Sequence, residues 1–572
     1  MPNRAWGQAS AFLHRFRHLA WFDLALLVGV AGTAFGLLSL AGEWRTLRPA
    51  VHIDLSPSAL PRYVFYSLSR GVIAYGCSLL FTLVYGYWAA KDKLAERVLV
   101  PLLDILQSIP VLGFMPGVVL ALVALFPRSN TGLELASILL IFTGQAWNMT
   151  FSFYHSLRSV PHDQIEAATI YRFDWWQRLK WVELPFSAIG LVWNSMMSMA
   201  GGWFFLMITE SFVLGTKDFR LPGIGSYMSV AVAKGDVPAM LWAIFAMVTM
   251  IVVLDQLVWR PVVVWSQKFR VEEGADEQIA SSWFFDWLRR SALVEWAGDV
   301  MGRVVMRARR GHRHVAPAEK PASSNRAVSL VLFVVLVAAM LFGAWKVFEI
   351  LRKIHGRDVL PILEAGGWTL GRVLLSTALG TIWTLPAGLA IGLSPKWSRV
   401  FQPVVQVAAS FPAPMLFPLV IALLKAAGVS LGWGSVLLML LGTQWYILFN
   451  VIAGAMAIPG DLREAARSYR MSLWLRFRSL YLPSVFPYLV TGWVTAAGGA
   501  WNASIVAEYV TFKGQVLTTD GLGAQISVAA EHADFPRLAA SVILMAIIVV
   551  LFNRTVWRRL YAIAEERYSL SK

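Results

Sequence analysis

Charge is scarce in this chain, and so are the groups on which soluble enzymes are built. Of 572 residues, 15% are Asp, Glu, Lys or Arg against 57% hydrophobic, and the mean hydropathy is +0.59. That balance excludes an ordinary soluble domain and fits a chain whose long apolar runs cross a bilayer repeatedly. The single cysteine, Cys77, lies in an apolar run, so neither an intrachain disulfide nor a cysteine metal cluster can form. No Gly-Lys dipeptide occurs, which excludes a P-loop. The nine histidines show no metal-ligand spacing. No catalytic residue and no metal ligand is expected, and the chain reads as a non-enzyme.

The charge that is present is lopsided: the net value is +16. In a membrane protein this excess belongs to loops on the inner side and does not point to nucleic acid. The N-terminus is basic and then apolar (MPNRAWGQASAFLHRFRHLAWF) and reads as an uncleaved first span. Spans are expected at about Trp21–Leu40, Val64–Ala90, Val98–Leu125, Leu135–Tyr154, Phe186–Ile208 and Ala239–Trp259. Pro110 and Pro116 predict a kink or break in the third. A charged stretch then leads into a Pro-, Ala- and Ser-rich one. It predicts a cytoplasmic linker over 266–325 with an amphipathic surface helix, between units 1–265 and 326–572.

The second unit repeats the first, with spans near Ser329–Phe348, Trp368–Leu393, Val404–Leu424, Val436–Ala457, Ser484–Ser504 and Leu538–Leu551. Arg70, Gly86, Pro101, Ser108 and Pro110 recur as Arg372, Gly388, Pro403, Ser410 and Pro412 at a spacing of 302. Trp147, Glu166, Pro185, Trp203, Glu210, Gly223 and Gly225 recur as Trp445, Glu464, Pro483, Trp501, Glu508, Gly521 and Gly523 at a spacing of 298. Equal span counts give both units the same orientation, with both termini inside. The fold expected is therefore an all-α membrane protein of twelve transmembrane helices in two parallel six-helix repeats.

Between the fourth and fifth spans of each unit lies a polar, basic, aromatic segment. It reads EAATIYRFDWWQRLKWVELP (Glu166–Pro185) and EAARSYRMSLWLRFRSLYLP (Glu464–Pro483). Ala167, Ala168, Ala465 and Ala466 favour helix and allow close approach. Tyr171 and Tyr469, with neighbouring tryptophans, supply the aromatic area that anchors interfaces.

Glu-Ala-Ala, with Leu184-Pro185 and Leu482-Pro483 at fixed distance, resembles the signature of permease subunits of binding-protein-dependent ABC importers. That signature is Glu-Ala-Ala, three residues, Gly, nine residues, Ile, one residue, Leu-Pro. Val182 and Leu480 stand at the Ile position, and Arg172 and Arg470 replace the Gly. GGWFFLMITESF…GIG and GAWNASIVAEYV…GLG look like the nitrate, sulfonate, taurine and bicarbonate branch. The resemblance implies a type I importer fold in the bacterial inner membrane. It also implies coupling helices seated in two ABC ATPase subunits, which hold ATP and Mg while this chain binds no cofactor. It further implies a periplasmic or lipid-anchored binding protein delivering a small, anionic solute. An ion-coupled secondary transporter with an internal repeat is the alternative, and a non-transporting scaffold a further one.

Within the spans, Ser108, Pro110, Ser410 and Pro412 sit where the third span breaks. Trp203 and Glu210, like Trp501 and Glu508, share one helix face. With Asn502 these are candidates for the translocation pathway. Arg70 and Arg372 are expected to pair with Glu210 and Glu508, lining or bracing one mouth of the path, with plain helix bracing as the alternative.

Overall fold

The computed structural model describes residues 52–108, 110–214, 217–269, 282–289, 326–512 and 515–568. The expected first span and most of the linker lie outside the described residues. Of the linker's surface helix, only the short helix Trp283–Arg289 falls within them.

Every expected span within the described residues has a helical counterpart. In the first unit these are α1 (Leu60–Lys91), α2 (Lys93–Ser108), α3 (Val111–Leu125), α4 (Thr131–Arg158), α5 (His162–Ile170), α6 (Trp175–Arg178), α7 (Leu184–Glu210), α8 (Ile224–Lys234) and α9 (Val237–Leu254). The second unit follows α10 (Arg326–Leu351) with α11 (Gly356–Gly392), α12 (Pro395–Ser410), α13 (Phe417–Ala426), α14 (Leu431–Met456), α15 (Gly460–Ser468), α16 (Leu473–Arg476), α17 (Leu482–Ala507), α18 (Leu522–Glu531) and α19 (Phe535–Phe552). Among the described residues, six helical stretches are long and apolar enough to cross a membrane. The third span of each unit is broken outright. Pro110, extended and without an N–H to donate, separates α2 from α3, and Pro412 opens the gap between α12 and α13.

The fold is not wholly helical. After α7, Val213–Leu214 pairs antiparallel with Lys217–Asp218, and after α17, Tyr509–Phe512 pairs with Gln515–Thr518. Strands this short leave no alternating pattern to read.

Each unit is built on its second, fourth and fifth spans: α1, α4 and α7 pack side by side, as do α11, α14 and α17. Small residues let these helices approach. A Cβ on Gly71 would lie 2.7 Å from the Trp203 ring, so this tryptophan of α7 fills the notch that Gly71 leaves in α1. The units also interlock. α3 packs on α17 and α19 of the second unit, and α12 packs on α7 and α9 of the first. One apolar core therefore runs through both units, from Ile53 to Trp557.

Candidate functional site

Three features stand out on this frame: a pair of exposed helical turns, a pair of buried ionic clusters, and a cavity between the units.

The exposed turns are the Glu-Ala-Ala segments. α5 ends when Arg172 takes a left-handed conformation, φ 52°, and α15 ends in the same way at Arg470, φ 47°. The amide of Phe173 donates to the Ala168 carbonyl and that of Arg172 to Thr169, at 2.9 and 3.0 Å. Met471 and Arg470 donate to Ala466 and Arg467 likewise. This doubly bonded helix end is where glycine is favoured, which explains the family's Gly. Arg occupies the turn in both copies without changing it, at a conformational cost of roughly 1 kcal/mol each.

The turns present apolar surface outward: Ile170, Tyr171, Trp175 and Trp176 in one, Tyr469, Leu473 and Trp474 in the other. Tyr469 is 83% exposed. Glu166, Ala167, Glu464 and Ala465 are exposed, whereas Ala168 and Ala466 are buried. Only the first alanine of each pair can therefore meet a partner, and the second packs the segment against its own chain. Leu184, Pro185, Leu482 and Pro483 are half-buried where the segments pass into α7 and α17. The two segments differ in charge. Residues 162–183 carry four acidic and three basic groups, and residues 460–481 carry two and five. They are also anchored differently. Buried Glu183 accepts from Lys91 at 2.6 Å and from Arg178 at 2.8 Å. In the second unit Leu393 and Tyr481 stand at the corresponding positions, in an apolar cluster with Phe477 and Leu480.

The ionic clusters lie at the far end of α7 and α17. Arg70 reaches Glu210 at 2.7 Å and Arg372 reaches Glu508 at 3.0 Å. Arg70 also grips both oxygens of Glu134, at 2.6 and 2.7 Å, and donates to the Pro222 carbonyl. Ser67 donates to Glu210 and accepts from the Ile224 amide, and Gly225 N–H donates to Glu210. Thr369, Leu522 and Gly523 repeat these contacts around Glu508. A Cβ on Gly223 or Gly521 would fall 2.2–2.4 Å from a carboxylate atom, which accounts for the first glycine of each Gly-x-Gly turn. The clusters differ in what holds the rest of the guanidinium. Gly432 stands where the repeat places Glu134, and Thr519 takes up Arg372 Nη2 instead, at 3.1 Å.

The cavity, of about 270 Å³, lies between the units. Its wall includes Pro110, Trp147 and Ser198 from the first unit and Pro412, Tyr446, Trp501 and Asn502 from the second, and among the described residues no charged one. Trp147 Nε1, Ser198 Oγ and Asn502 Oδ1 are buried without a hydrogen-bond partner.

Of the pathway candidates, the structure thus brings Pro110, Pro412, Trp501 and Asn502 to one cavity. Trp203 and Ser410 face a separate slot of about 10 Å³. Glu210 and Glu508 are fully buried in the clusters, away from the cavity wall, because Arg70 and Arg372 hold them against the Gly-x-Gly turns. The Ser108 side chain lies outside those described. Sequence reasoning missed Glu134, Glu183, Ser198 and Tyr446. The signal that could have found them is failure of the repeat, since their counterparts are Gly432, Tyr481, Ala496 and Asn148.

One string resembles a hydrolase elbow, Gly428-Val-Ser430-Leu-Gly432. Exposed Ser430 joins α13 to α14, with no strand before it, so the strained strand-to-helix turn that activates such a serine is missing. Among the described residues no His, Cys, Asp or Glu group could hold a metal.

A bundle of interlocked repeats that encloses a cavity and holds two apolar turns outside is built as a membrane permease. Residues 82–258 and 380–569 each match the family described as binding-protein-dependent transport system inner membrane component, and the chain belongs to that family, carrying its domain twice. Similar proteins include the nitrate import permease protein NrtB of Leptolyngbya laminosa, 26% identical over 33% of this chain and 66% of that protein. The bicarbonate transport system permease protein CmpB of Synechocystis is 28% identical over 25% and 49%, and the taurine transport system permease protein TauC of Escherichia coli 25% identical over 34% and 67%. The chain spans about half to two thirds of the length of these relatives, each named as a transport permease.

Proposed function

We propose that this chain is the permease of an ATP-driven ABC importer in a bacterial inner membrane, a fused double unit serving both sides of one transport path. Twelve transmembrane helices, six in each of units 1–265 and 326–572 with the 266–325 segment as a cytoplasmic tether, would place both termini inside. Two separate ATPase subunits carrying ATP and Mg would seat on the Glu-Ala-Ala turns, and a periplasmic or lipid-anchored binding protein would deliver a small anionic solute. The names of the nitrate, bicarbonate and taurine relatives support that solute class.

The observation that carries the reading is the doubled turn. The same bonded helix end, followed by the same exposed aromatic surface, occurs at equivalent places in both units. Such patches on a folded protein mark docking sites. Closure of the ATPase pair would draw the turns together and shift α7 and α17, which continue directly from them.

The test is ATPase activity of the purified chain in lipid nanodiscs, alone and with co-purifying partners, for wild type, Glu166→Ala and Glu464→Ala. The expected result is a silent chain, and activity with an ATPase that both substitutions uncouple or release. If no ATPase co-purifies and the variants behave as wild type, the reading fails.

A further inference from the structure

The central cavity is lopsided in a way that a true twofold dimer could not be. Positions 204 and 502 are equivalent in the repeat, yet one is Phe204 and the other Asn502; positions 205 and 503 are likewise Phe205 and Ala503. Aromatic side chains line both sides all the same, Phe204 and Phe205 from the first unit and Phe411, Trp501 and Phe552 from the second. In a homodimer each substitution would appear on both sides of the axis. Covalent fusion lets the two sides diverge, and here they have.

Resting on the reading that this cavity lies on the transport path, we propose that it is a binding site for a compact organic anion with a flat apolar body, an aromatic acid or sulfonate, and not for a bare inorganic anion. Three observations converge. The volume of about 270 Å³ is near the lower end of small-molecule sites, so it suits a single ring with one substituent. The aromatic wall offers ring faces and edges to such a body, contact that a fully hydrophilic ion cannot use. Among the described residues the wall also has no cation to neutralise a charge.

An anion there must be held by neutral donors. Trp147 Nε1–H and the Ser198 hydroxyl are buried at the wall with no partner. The Tyr446 hydroxyl approaches Gly201 across the interface, 3.8 Å from where a Cβ would stand. Buried donors without partners are costly, and a delocalised carboxylate or sulfonate satisfies several at once. A nitrate or bicarbonate ion would accept from the same donors but has no apolar body to set against the rings, so it would surrender its hydration for less. Asn502 Oδ1, an acceptor without a partner, suits a solute that also carries a hydroxyl or amino group.

The test is equilibrium binding to the full chain in lipid nanodiscs, read by tryptophan fluorescence and saturation-transfer NMR, with benzenesulfonate, 4-hydroxybenzoate, nitrate and bicarbonate as probes. The aromatic acids should saturate one site, and the inorganic anions should not compete. Ser198→Ala should weaken binding about tenfold or more, the size of one hydrogen bond to a charged group. Phe204→Leu, which keeps the wall apolar, should reduce the preference for aromatic over aliphatic sulfonates. Equal competition by nitrate, or wild-type binding by both variants, overturns the proposal. ATPase association measured on the same preparations separates the two readings. Association without aromatic-acid binding removes this inference alone, whereas no association by the wild type removes the permease reading beneath it.

Discussion

Replacing Arg70 by Met should damage the first unit more than Arg372→Met damages the second, and the structure says by how much. Arg70 is fully buried and holds two carboxylates, Glu134 and Glu210. Without it, Glu210 keeps the Ser67 hydroxyl and the Gly225 amide. Glu134 is left with no other side-chain hydrogen bond among the described residues. Arg372 holds one carboxylate, Glu508, which keeps Thr369 and the Gly523 amide after the loss. Breaking a buried pair from one side costs about 3–5 kcal/mol. The Arg372→Met variant belongs near the lower end, and Arg70→Met near or beyond the upper end. Adding Glu134→Gln to Arg70→Met replaces a stranded charge by a neutral amide and should recover about 1–3 kcal/mol. The assay is apparent melting temperature in nanodiscs at one scan rate, followed by near-UV circular dichroism. Equal losses for the two arginine variants, or no recovery from Glu134→Gln, would refute the claim that Glu134 makes the clusters unequal.

Other outcomes follow from the same geometry. Arg172→Gly and Arg470→Gly relieve a left-handed conformation and should stabilise their turns by about 1 kcal/mol each, seen as slower hydrogen exchange over 165–175 and 463–473. Gly521→Ala places a methyl against the Glu508 carboxylate, so folded yield should fall sharply, while Gly371→Ala, with open space around it, should be tolerated. Glu183→Gln removes the charge that Lys91 and Arg178 share, so exchange should rise in the first Glu-Ala-Ala turn and stay unchanged in the second. Glu508→Gln keeps shape and loses charge beside Arg372; lower folded yield with normal transport per folded molecule identifies a brace, and lost transport at normal yield refutes that role.

Hydropathy made the helical frame legible because every segment must satisfy its backbone internally when it crosses lipid, and Pro110 and Pro412 announced the breaks. The arginine–glutamate pairs were readable because Arg70, Glu210, Arg372 and Glu508 recur at fixed spacing in a chain poor in charge. Glu134 was not, since a carboxylate near the start of a span looks like an ordinary boundary residue until Arg70 is seen against it. Nor could sequence place the cavity. Trp203 and Trp501 are equivalent, yet Trp203 fills the notch at Gly71 while Trp501 reaches the cavity wall, Val373 standing where the repeat places Gly71. The two small hairpins escaped for a simpler reason, being too short to leave a period.

The unequal charge of the two Glu-Ala-Ala turns bears on how a complex comes apart. If identical ATPase copies seat on both, one meets a surface with one excess acid and the other a surface with three excess bases. Salt screens the second contact far more than the first. Rising ionic strength should then strip one copy before the other, leaving a half-loaded species in which the remaining copy is fixed in place but has no sister against which to close. A single chain with two equivalent turns would lose both at the same salt concentration; this one should shed them in sequence.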